Sequence, residues 1–282
     1  MDEPTTESPP PDRRGWQGLL EWQGEVGRRW AAASATADDQ FGRLSDAGYR
    51  ALGDLSGMHV LDVGCGSGGT TAQLADLVGP QGSVVGIDPS ADVLVHAARA
   101  TAGRNVRLVH GDAQTHAFAD GTFDVVFSRL GVMFFEDPVA AFANLRRCTV
   151  AGGRLAFSCW PVRELVPLLI LPLRALAGLV QLPPSAPPGS PNPFSLGDAA
   201  TTTAMLERAG WREVVVEELR WQVDLPADAA EAAQTWLTTI PVTLSVVDPD
   251  PDTRAELLAA LAAAVPPSRR LEQLALSFTA IA

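Results

Sequence analysis

The sequence predicts an α/β fold built on a mostly parallel sheet of seven strands, with the last strand antiparallel and helices on both faces. Short runs of β-forming residues alternate with helical patterns over residues 58–158, which is the order expected for parallel strands joined by helices. A glycine cluster follows the first run, as at a turn between a strand and a helix. Two late strand-like segments, 213–219 and 273–282, predict a hairpin in which the seventh strand lies antiparallel beside the sixth.

The composition is that of a globular protein, since 46% of the 282 residues are apolar. The formal net charge is −12 and lysine is absent, so a phosphate backbone is an unfavourable partner and no nucleic-acid substrate is expected. Cys65, Cys148 and Cys159 form no C-x-x-C pair, which predicts neither a disulfide framework nor a metal site. No signal peptide or membrane-spanning run is visible, so we expect a cytoplasmic protein without a membrane partner.

The first strand and its turn carry the main functional signal. Residues 58–63 are β-forming, the cluster from Gly64 to Gly68 follows, and a helical pattern begins at Gly69. Glycine allows positive φ angles and lets a ligand approach the backbone, and the free N–H groups of the helix start face the same turn. We expect a nucleotide-like ligand at this edge of the sheet. A glycine turn without any ligand is the alternative.

The series Asp62-x-Gly64-x-Gly66-x-Gly68 resembles motif I of the class I S-adenosylmethionine (SAM)-dependent methyltransferases. The resemblance implies that Gly64, Cys65 and Gly66 pack against the amino-acid end of SAM, or of its product S-adenosylhomocysteine. It also implies that Asp62 helps to hold the cofactor's ammonium group, directly or through water. A dinucleotide fingerprint fits these glycines poorly, although a nicotinamide-dependent oxidoreductase remains an alternative.

The next two strands each end in an acid. The second strand ends at Asp88, where a carboxylate can accept both ribose hydroxyls. The alternative is that Asp88 caps the helix opened by Pro89. Pro89 itself is also predicted to belong to the cofactor-binding site. The third strand ends before Asp112 and Ala113. The resemblance places these two residues at the adenine ring, and a turn aspartate is the alternative.

The fourth strand, 123–128, resembles motif IV of the family, and its end at Ser128 is expected beside the transferable methyl group. The acceptor enters there, with Met133 and Phe134 as pocket walls. Arg129 either binds an anionic group of the acceptor or pairs with an acid of the fold. Two candidates for a general base, His110 and His116, have no partner that the sequence identifies.

The chain divides into a disordered tail at 1–14, a helical segment at 15–54 and the main domain at 55–282. The resemblance implies that the segment 15–54 is a lid over the cofactor, in which Trp30 covers the sulfonium or lines the acceptor pocket. An insertion at about 161–196, with a helix expected over 164–181, is interpreted as a cap. Its apolar face favours either an apolar, bulky acceptor or a contact between two copies of the chain.

The pattern P-F-S-x-x-D, which begins at Pro193, and L-x-x-A-G-W, which ends at Trp211, resembles the UbiE-like branch of small-molecule methyltransferases. The predicted function is methyl transfer from SAM to an oxygen, nitrogen or carbon of a small organic acceptor of the natural-product type. One alternative is a cyclase or isomerase that keeps SAM as a structural ligand or has lost it, because a fold does not fix a function. The remaining alternative is a protein that binds its ligand without catalysing a reaction.

Overall fold

A computed structural model describes residues 41–180, 190–239 and 250–282. The first helix within the described residues, α1, covers residues 41–52. The strands are β1 His59–Val63, β2 Ser83–Asp88, β3 Val106–His110, β4 Phe123–Arg129, β5 Thr149–Cys159, β6 Arg212–Asp224 and β7 Arg270–Ile281. The further helices are α2 Gly69–Val78, α3 Ala91–Ala100, α4 Pro138–Cys148, α5 Pro167–Leu176, α6 Ala199–Arg208, α7 Ala229–Thr239 and α8 Pro251–Ala264, with short 3-10 turns at Val132–Phe134 and Arg163–Leu165.

The seven strands form one sheet in the order β3-β2-β1-β4-β5-β7-β6. Neighbouring strands from β3 to β5 are parallel, whereas β7 is antiparallel to both β5 and β6. The predicted fold class is therefore confirmed. The chain moves outward from β1 to β2 and β3, then returns to the other side of β1 with β4. This reversal opens a crevice at the carboxyl ends of β1 and β4, where ligands bind in sheets of this kind.

Helices cover both faces of the sheet because the strands alternate their buried side chains between two cores. On one face, Phe127 packs against Leu52 of α1 and Leu74 of α2 within one apolar cluster. On the other face, Phe142 of α4 packs against Phe157, which stacks on Phe278 with ring centroids 4.9 Å apart. Burial on both faces explains why the central strands are almost continuously apolar.

The terminal hairpin is longer than the sequence predicted. The sixth strand was expected to end at residue 219 and the seventh to begin at 273, but β6 continues to Asp224 and β7 begins at Arg270. β7 pairs with β5 only as far as Leu276, which lies opposite Cys159. Because β7 is antiparallel to β5, its residues before Leu276 extend beyond the carboxyl end of β5, paired with β6 alone. This part of the hairpin therefore projects beyond the edge of the sheet at which the crevice opens.

The cap helix is shorter than predicted. A helix was expected over 164–181, but a 3-10 turn precedes α5, and α5 covers only Pro167–Leu176. The residue before a proline disfavours helical angles, and Val166 accordingly lies outside the helical region, with φ −121° and ψ 71°. Pro167 then occupies the first turn, where its missing N–H costs nothing. The helix therefore begins at Pro167 and not at Glu164.

The predicted lid is described only in part. Its helix α1 packs on the sheet, with Tyr49 against the ring of Phe127 at a centroid distance of 5.1 Å. The Arg154 guanidinium donates to the Leu52 carbonyl, which attaches the end of α1 to β5. The predicted tail at 1–14 and Trp30 lie outside the described residues. Across the described ranges, the helices all fall short of the apolar length needed to cross a membrane.

Candidate functional site

The turn after β1 has the backbone geometry that requires glycine. The φ angles are 68° at Gly64, 53° at Gly66 and 88° at Gly68, a region that residues with a Cβ rarely adopt. The N–H groups of Gly64 and Cys65 donate to the Ile87 carbonyl at 2.9 and 3.1 Å, which ties the turn to the end of β2. Burial raises the pKa of the Cys65 thiol, so this cysteine packs the turn and has little thiolate character.

The three glycines have different surroundings. A Cβ at Gly64 would lie 2.8 Å from the Cα of Gly131, and one at Gly68 would lie 2.8 Å from the Cα of Ala97. A Cβ at Gly66 would meet no atom of the described residues within 4 Å. Gly64 and Gly68 are thus required by the close approach of neighbouring chain segments, whereas Gly66 borders open space that a ligand can occupy.

Asp62 lies in β1 directly below this turn and is fully buried. Its Oδ2 accepts hydrogen bonds from the hydroxyls of Thr70 at 2.8 Å and Thr71 at 2.7 Å. Its Oδ1 is buried without a hydrogen-bond partner among the described residues. Burial raises the pKa of Asp62 to about 6, against the opposing effects of the two threonines and of the Arg129 charge. A buried carboxylate with one unused oxygen is suited to a cationic partner.

Asp88 ends β2 and joins it to the glycine turn. Its Oδ2 accepts from the Gly66 N–H at 2.9 Å, and its Oδ1 accepts from the Ser90 N–H at 2.9 Å. Burial raises the pKa of Asp88, and the two backbone N–H groups oppose that rise. The helix cap of α3 is Ser90, whose Oγ accepts from the Val93 N–H. Asp88 is therefore oriented toward the turn, and its role in binding the ribose stays a prediction.

The histidines near the site have structural contacts. His110 lies at the end of β3, and its Nε2 is 3.0 Å from the carbonyl oxygen of Pro89. The ring of His116 packs on Phe118 with centroids 4.4 Å apart. Pro89 thus takes part in holding β3 beside β2. These contacts weaken the prediction that either histidine is a general base.

The segment after β3 forms a fixed loop. Asp112 is exposed, and its Oδ1 accepts from the Gln114 N–H at 2.8 Å, as in a turn. Ala113 is buried, and its carbonyl accepts from the side-chain amide of Asn144, which also donates to the His116 carbonyl, both at 3.0 Å. The turn uses one oxygen of Asp112, so the turn interpretation and the adenine interpretation are compatible. Asn144 was missed because it comes from α4, far along the chain.

Ser128 holds the floor of the crevice together. Its hydroxyl donates to the Val63 carbonyl at 2.8 Å and accepts from the Gly131 N–H at 3.2 Å. A Cβ at Gly131 would lie 2.7 Å from the Val63 carbonyl oxygen and 2.9 Å from the Cα of Gly64. Ser128 therefore positions the two glycine segments against each other, and a direct cofactor contact stays a prediction. Gly131 is a functional residue that no local sequence signal indicated.

Arg129 follows Ser128 and lies on the face that α1 covers. Its Nη1 donates to the hydroxyl of Ser45 in α1 at 3.3 Å, and its charge lowers the pKa of Asp62. Both interactions are with groups of the fold, and the role of Arg129 toward an anionic acceptor stays a prediction. Arg129 thereby joins the lid segment to the cofactor side of the crevice.

Met133 and Phe134 lie in the 3-10 turn after β4. Met133 is buried, and its sulfur accepts from the Trp160 N–H at 3.3 Å. The Met133 carbonyl accepts from the hydroxyl of Ser195, which belongs to the predicted cap. Phe134 is half-buried against the same core. The structure therefore joins this turn to the segment after β5 and to the cap, and the role of both residues as pocket walls stays a prediction.

Comparison with known proteins identifies the family. A family model described as a methyltransferase domain matches residues 61–157. Nocamycin O-methyltransferase of Saccharothrix syringae is 34% identical over 212 residues, which cover 69% of this chain and 73% of that protein. The chain belongs to the class I SAM-dependent methyltransferases. The predicted family, enzyme class and cofactor are confirmed, and neither the cyclase nor the oxidoreductase alternative is favoured.

Two further matches support more limited conclusions. Demethylmenaquinone methyltransferase of Staphylococcus aureus strain JH9 is 40% identical over 103 residues, 36% of this chain and 43% of that protein. The solved structure of Haemonchus contortus phosphoethanolamine N-methyltransferase 2 with phosphomonomethylethanolamine and S-adenosylhomocysteine has a TM-score of 0.59 at 16% identity, and it covers 93% of this chain and 59% of that chain. The first match supports the small-molecule branch, and the second shows the fold.

The residues at the carboxyl edge of this methyltransferase fit SAM. The open space at Gly66 admits the ligand to the backbone, and the unused Oδ1 of Asp62 suits its ammonium group. Asp88 is an oriented carboxylate whose remaining lone pairs would accept the ribose hydroxyls. Within the described ranges, there is no group of three or more histidine, cysteine, aspartate or glutamate side chains that could hold a metal ion.

Proposed function

We propose that this methyltransferase acts on an oxygen atom of a small, largely apolar organic molecule of the natural-product type. The observation that supports it most strongly is the buried aromatic cluster of Phe41, Trp160 and Trp221 beyond the end of β5. Trp160 follows that strand directly and is buried against Phe41 of α1 at a centroid distance of 5.4 Å. The Trp160 ring also stacks on that of Trp221 in the hairpin, with centroids 6.4 Å apart. Aromatic walls of this kind bind flat, apolar ligands.

The oxygen acceptor is favoured by a relative whose match covers 69% of this chain. That relative is named as an O-methyltransferase of nocamycin, whereas the match to the demethylmenaquinone enzyme covers 36% of this chain. When bound, SAM supplies a methyl group on a positively charged sulfur, which is already activated for transfer. The protein's own task is then to hold the acceptor oxygen in line and to exclude water.

The base requirement follows from the acceptor. His110 and His116 are engaged by Pro89 and Phe118, so we propose an acceptor hydroxyl that is itself acidic, such as a phenol or an enol. Such a hydroxyl is uncharged when it binds, but it is much more acidic than an aliphatic alcohol and therefore gives up its proton during transfer without a strong base. We also infer that the predicted lid, with Trp30, closes the crevice during the reaction, and that the cap supports a homodimer.

The test is methyl transfer from SAM labelled in its methyl group to matched panels of phenols, enols, aliphatic alcohols and amines. We expect labelled product from the phenol or enol panel, with the label on oxygen by mass spectrometry. Label on nitrogen or carbon would overturn the proposed acceptor atom, and transfer to aliphatic alcohols alone would overturn the acidic hydroxyl. His110→Gln and His116→Gln serve as controls that should retain transfer.

A further inference from the structure

The extended part of the β6–β7 hairpin carries a buried side-chain amide that makes no hydrogen bond within the described part of the chain. Gln273 in β7 is 0% exposed. Neither the nitrogen nor the oxygen of its side-chain amide has a hydrogen-bond partner among the described residues. Almost all buried polar side chains in native proteins are hydrogen-bonded, so an amide with both ends unused requires an explanation. A ligand that completes the pairing is one such explanation.

Two other unused polar atoms lie on the same face of the sheet. Trp221 is the register partner of Gln273, so both side chains point to the same side. Its Nε1 is buried and has no partner among the described residues. Ser158 of β5 is paired with Ser277, which shares the face of Gln273 because strand side chains alternate. The Ser158 hydroxyl is likewise buried and unpartnered within the described ranges.

These atoms lie at the edge of the sheet where the acceptor must enter. Gln273 precedes Leu276, the last β7 residue paired with β5, and therefore lies beyond the carboxyl end of that strand. Ser158 is the parallel partner of Arg129 at the end of β4. Trp160 connects the end of β4 with the hairpin, because it contacts both the turn at Met133 and the ring of Trp221.

We propose that Gln273, Trp221 and Ser158 recognise the acceptor, and that the acceptor is an uncharged ring compound with a hydrogen-bond donor directly beside a carbonyl oxygen. An amide side chain presents its own donor and acceptor side by side, so its complement is an edge of the opposite order. The indole N–H adds a second donor for the carbonyl. The ligand must be uncharged, because the neutral side chains of Gln273, Trp221 and Ser158 would compensate poorly for the burial of a charged group. This inference rests on the methyl-transfer function proposed above.

The test uses two probes of almost the same shape. 2-Naphthamide carries an N–H beside its carbonyl, whereas 2-acetylnaphthalene carries a methyl group in that place. Each is titrated by calorimetry into protein saturated with S-adenosylhomocysteine, so that no turnover is needed. We expect 2-naphthamide to bind about two- to twelve-fold more tightly than the ketone, the usual range for one neutral hydrogen bond.

The variants assign that preference to a residue. Gln273→Met, which keeps the size but removes the amide, should abolish the preference for 2-naphthamide. Trp221→Phe should weaken both probes equally, since it removes a donor to the shared carbonyl. Gln222→Met is the matched control, because Gln222 is the next residue of β6 and is exposed. It should behave as the wild type.

Thermal unfolding of the free protein separates binding from structure. If the amide is unused in the fold, Gln273→Met should leave the melting temperature unchanged or raise it. A lower melting temperature in Gln273→Met but not in Gln222→Met would show that the amide serves the fold, through an internal water, and would overturn the proposal. Equal affinity for the two probes, or no binding of either, would overturn it as well. If the wild type does not bind S-adenosylhomocysteine at all, that result would instead contradict the methyltransferase function.

Discussion

The backbone N–H of Gly66 donates to the carboxylate of Asp88 across 2.9 Å, and this bond joins the glycine turn after β1 to the end of β2. The bond leaves Gly66 facing open space while it fixes one oxygen of the carboxylate. The other oxygen is fixed by the Ser90 N–H. A cofactor that spans the turn and the end of β2 therefore meets a surface that is already organised before binding, which lowers the entropic cost of association.

The burial of Asp62 predicts how cofactor binding depends on pH. Its pKa of about 6 means that the carboxyl group is protonated in much of the free protein below that pH. The cofactor ammonium, which stays charged until about pH 8, favours the ionised carboxylate. We expect S-adenosylhomocysteine to bind more weakly as pH falls through about 6, with a proton released on binding near that pH. Calorimetry in buffers of different ionisation enthalpy measures both effects, and Asp62→Asn should remove them.

The same pKa predicts the pH dependence of stability in the free protein. The folded-state pKa of about 6 lies above the ordinary value of 3.8, so between these values the folded chain holds a proton that the unfolded chain has lost. The free energy of unfolding should therefore fall as pH rises from about 4 to about 6, by on the order of 2–3 kcal/mol. Urea unfolding across this range should show the fall in wild type and a flatter profile in Asp62→Asn. Identical profiles would contradict the assignment to Asp62.

The contact between the two glycine segments predicts a stability effect. In Gly131→Ala, the new Cβ would lie 2.7 Å from the Val63 carbonyl oxygen, so β1 and β4 must separate at the floor of the crevice. We expect a loss of about 1–3 kcal/mol in the free energy of unfolding, together with weaker S-adenosylhomocysteine binding. Gly42→Ala is the control, because a Cβ there meets nothing among the described residues. It should be neutral or stabilising, since alanine favours a helix.

The two hydrogen bonds of Asn144 predict a role in holding the loop after β3, which contains Ala113 and His116. Asn144→Ala removes the donors to the Ala113 and His116 carbonyls, which should lower the free energy of unfolding by about 1–3 kcal/mol. The loosened loop should also raise the dissociation constant of S-adenosylhomocysteine about ten-fold, as measured by calorimetry.

Asn105→Ala is the matched control for that experiment. Asn105 also donates its side-chain amide to a backbone carbonyl, that of Gly82, but at the opposite end of β3. It should lose stability and keep its cofactor affinity. Equal loss of affinity in both variants would show that Asn144 acts only through general stability.

The sequence predicted those parts of the site whose chemistry is local. The glycine turn follows β1 within a few residues, and the acid of Asp88 ends the next strand, so both could be found from strand, turn and helix patterns. Asn144 and Gly131 could not, because their partners at Ala113 and Gly64 lie far away in the chain. An ordinary asparagine in a helix or a lone glycine after a strand gives no sign of such a contact.

The hairpin shows a second limit of the sequence. Residues 220–224 alternate exposed and buried side chains, but a strand at the edge of a sheet needs a partner to form. That partner is the start of β7, from Arg270 to Gln273, and its distance along the chain hides the pairing. The predicted strands therefore ended too early, and the polar atoms of Trp221 and Gln273 were not recognised as neighbours.

The most direct test of the central claim is calorimetric titration of SAM and S-adenosylhomocysteine into the wild type, Asp88→Ala and Asp76→Ala. Asp76 is an exposed acid of α2 paired with Arg104, so its removal controls for the loss of one charge. We predict micromolar binding to the wild type and to Asp76→Ala, and a loss on the order of 100-fold in Asp88→Ala, as expected for two charge-assisted hydrogen bonds. Unchanged binding in Asp88→Ala, or no binding of either ligand to the wild type, would contradict the cofactor site described for this fold.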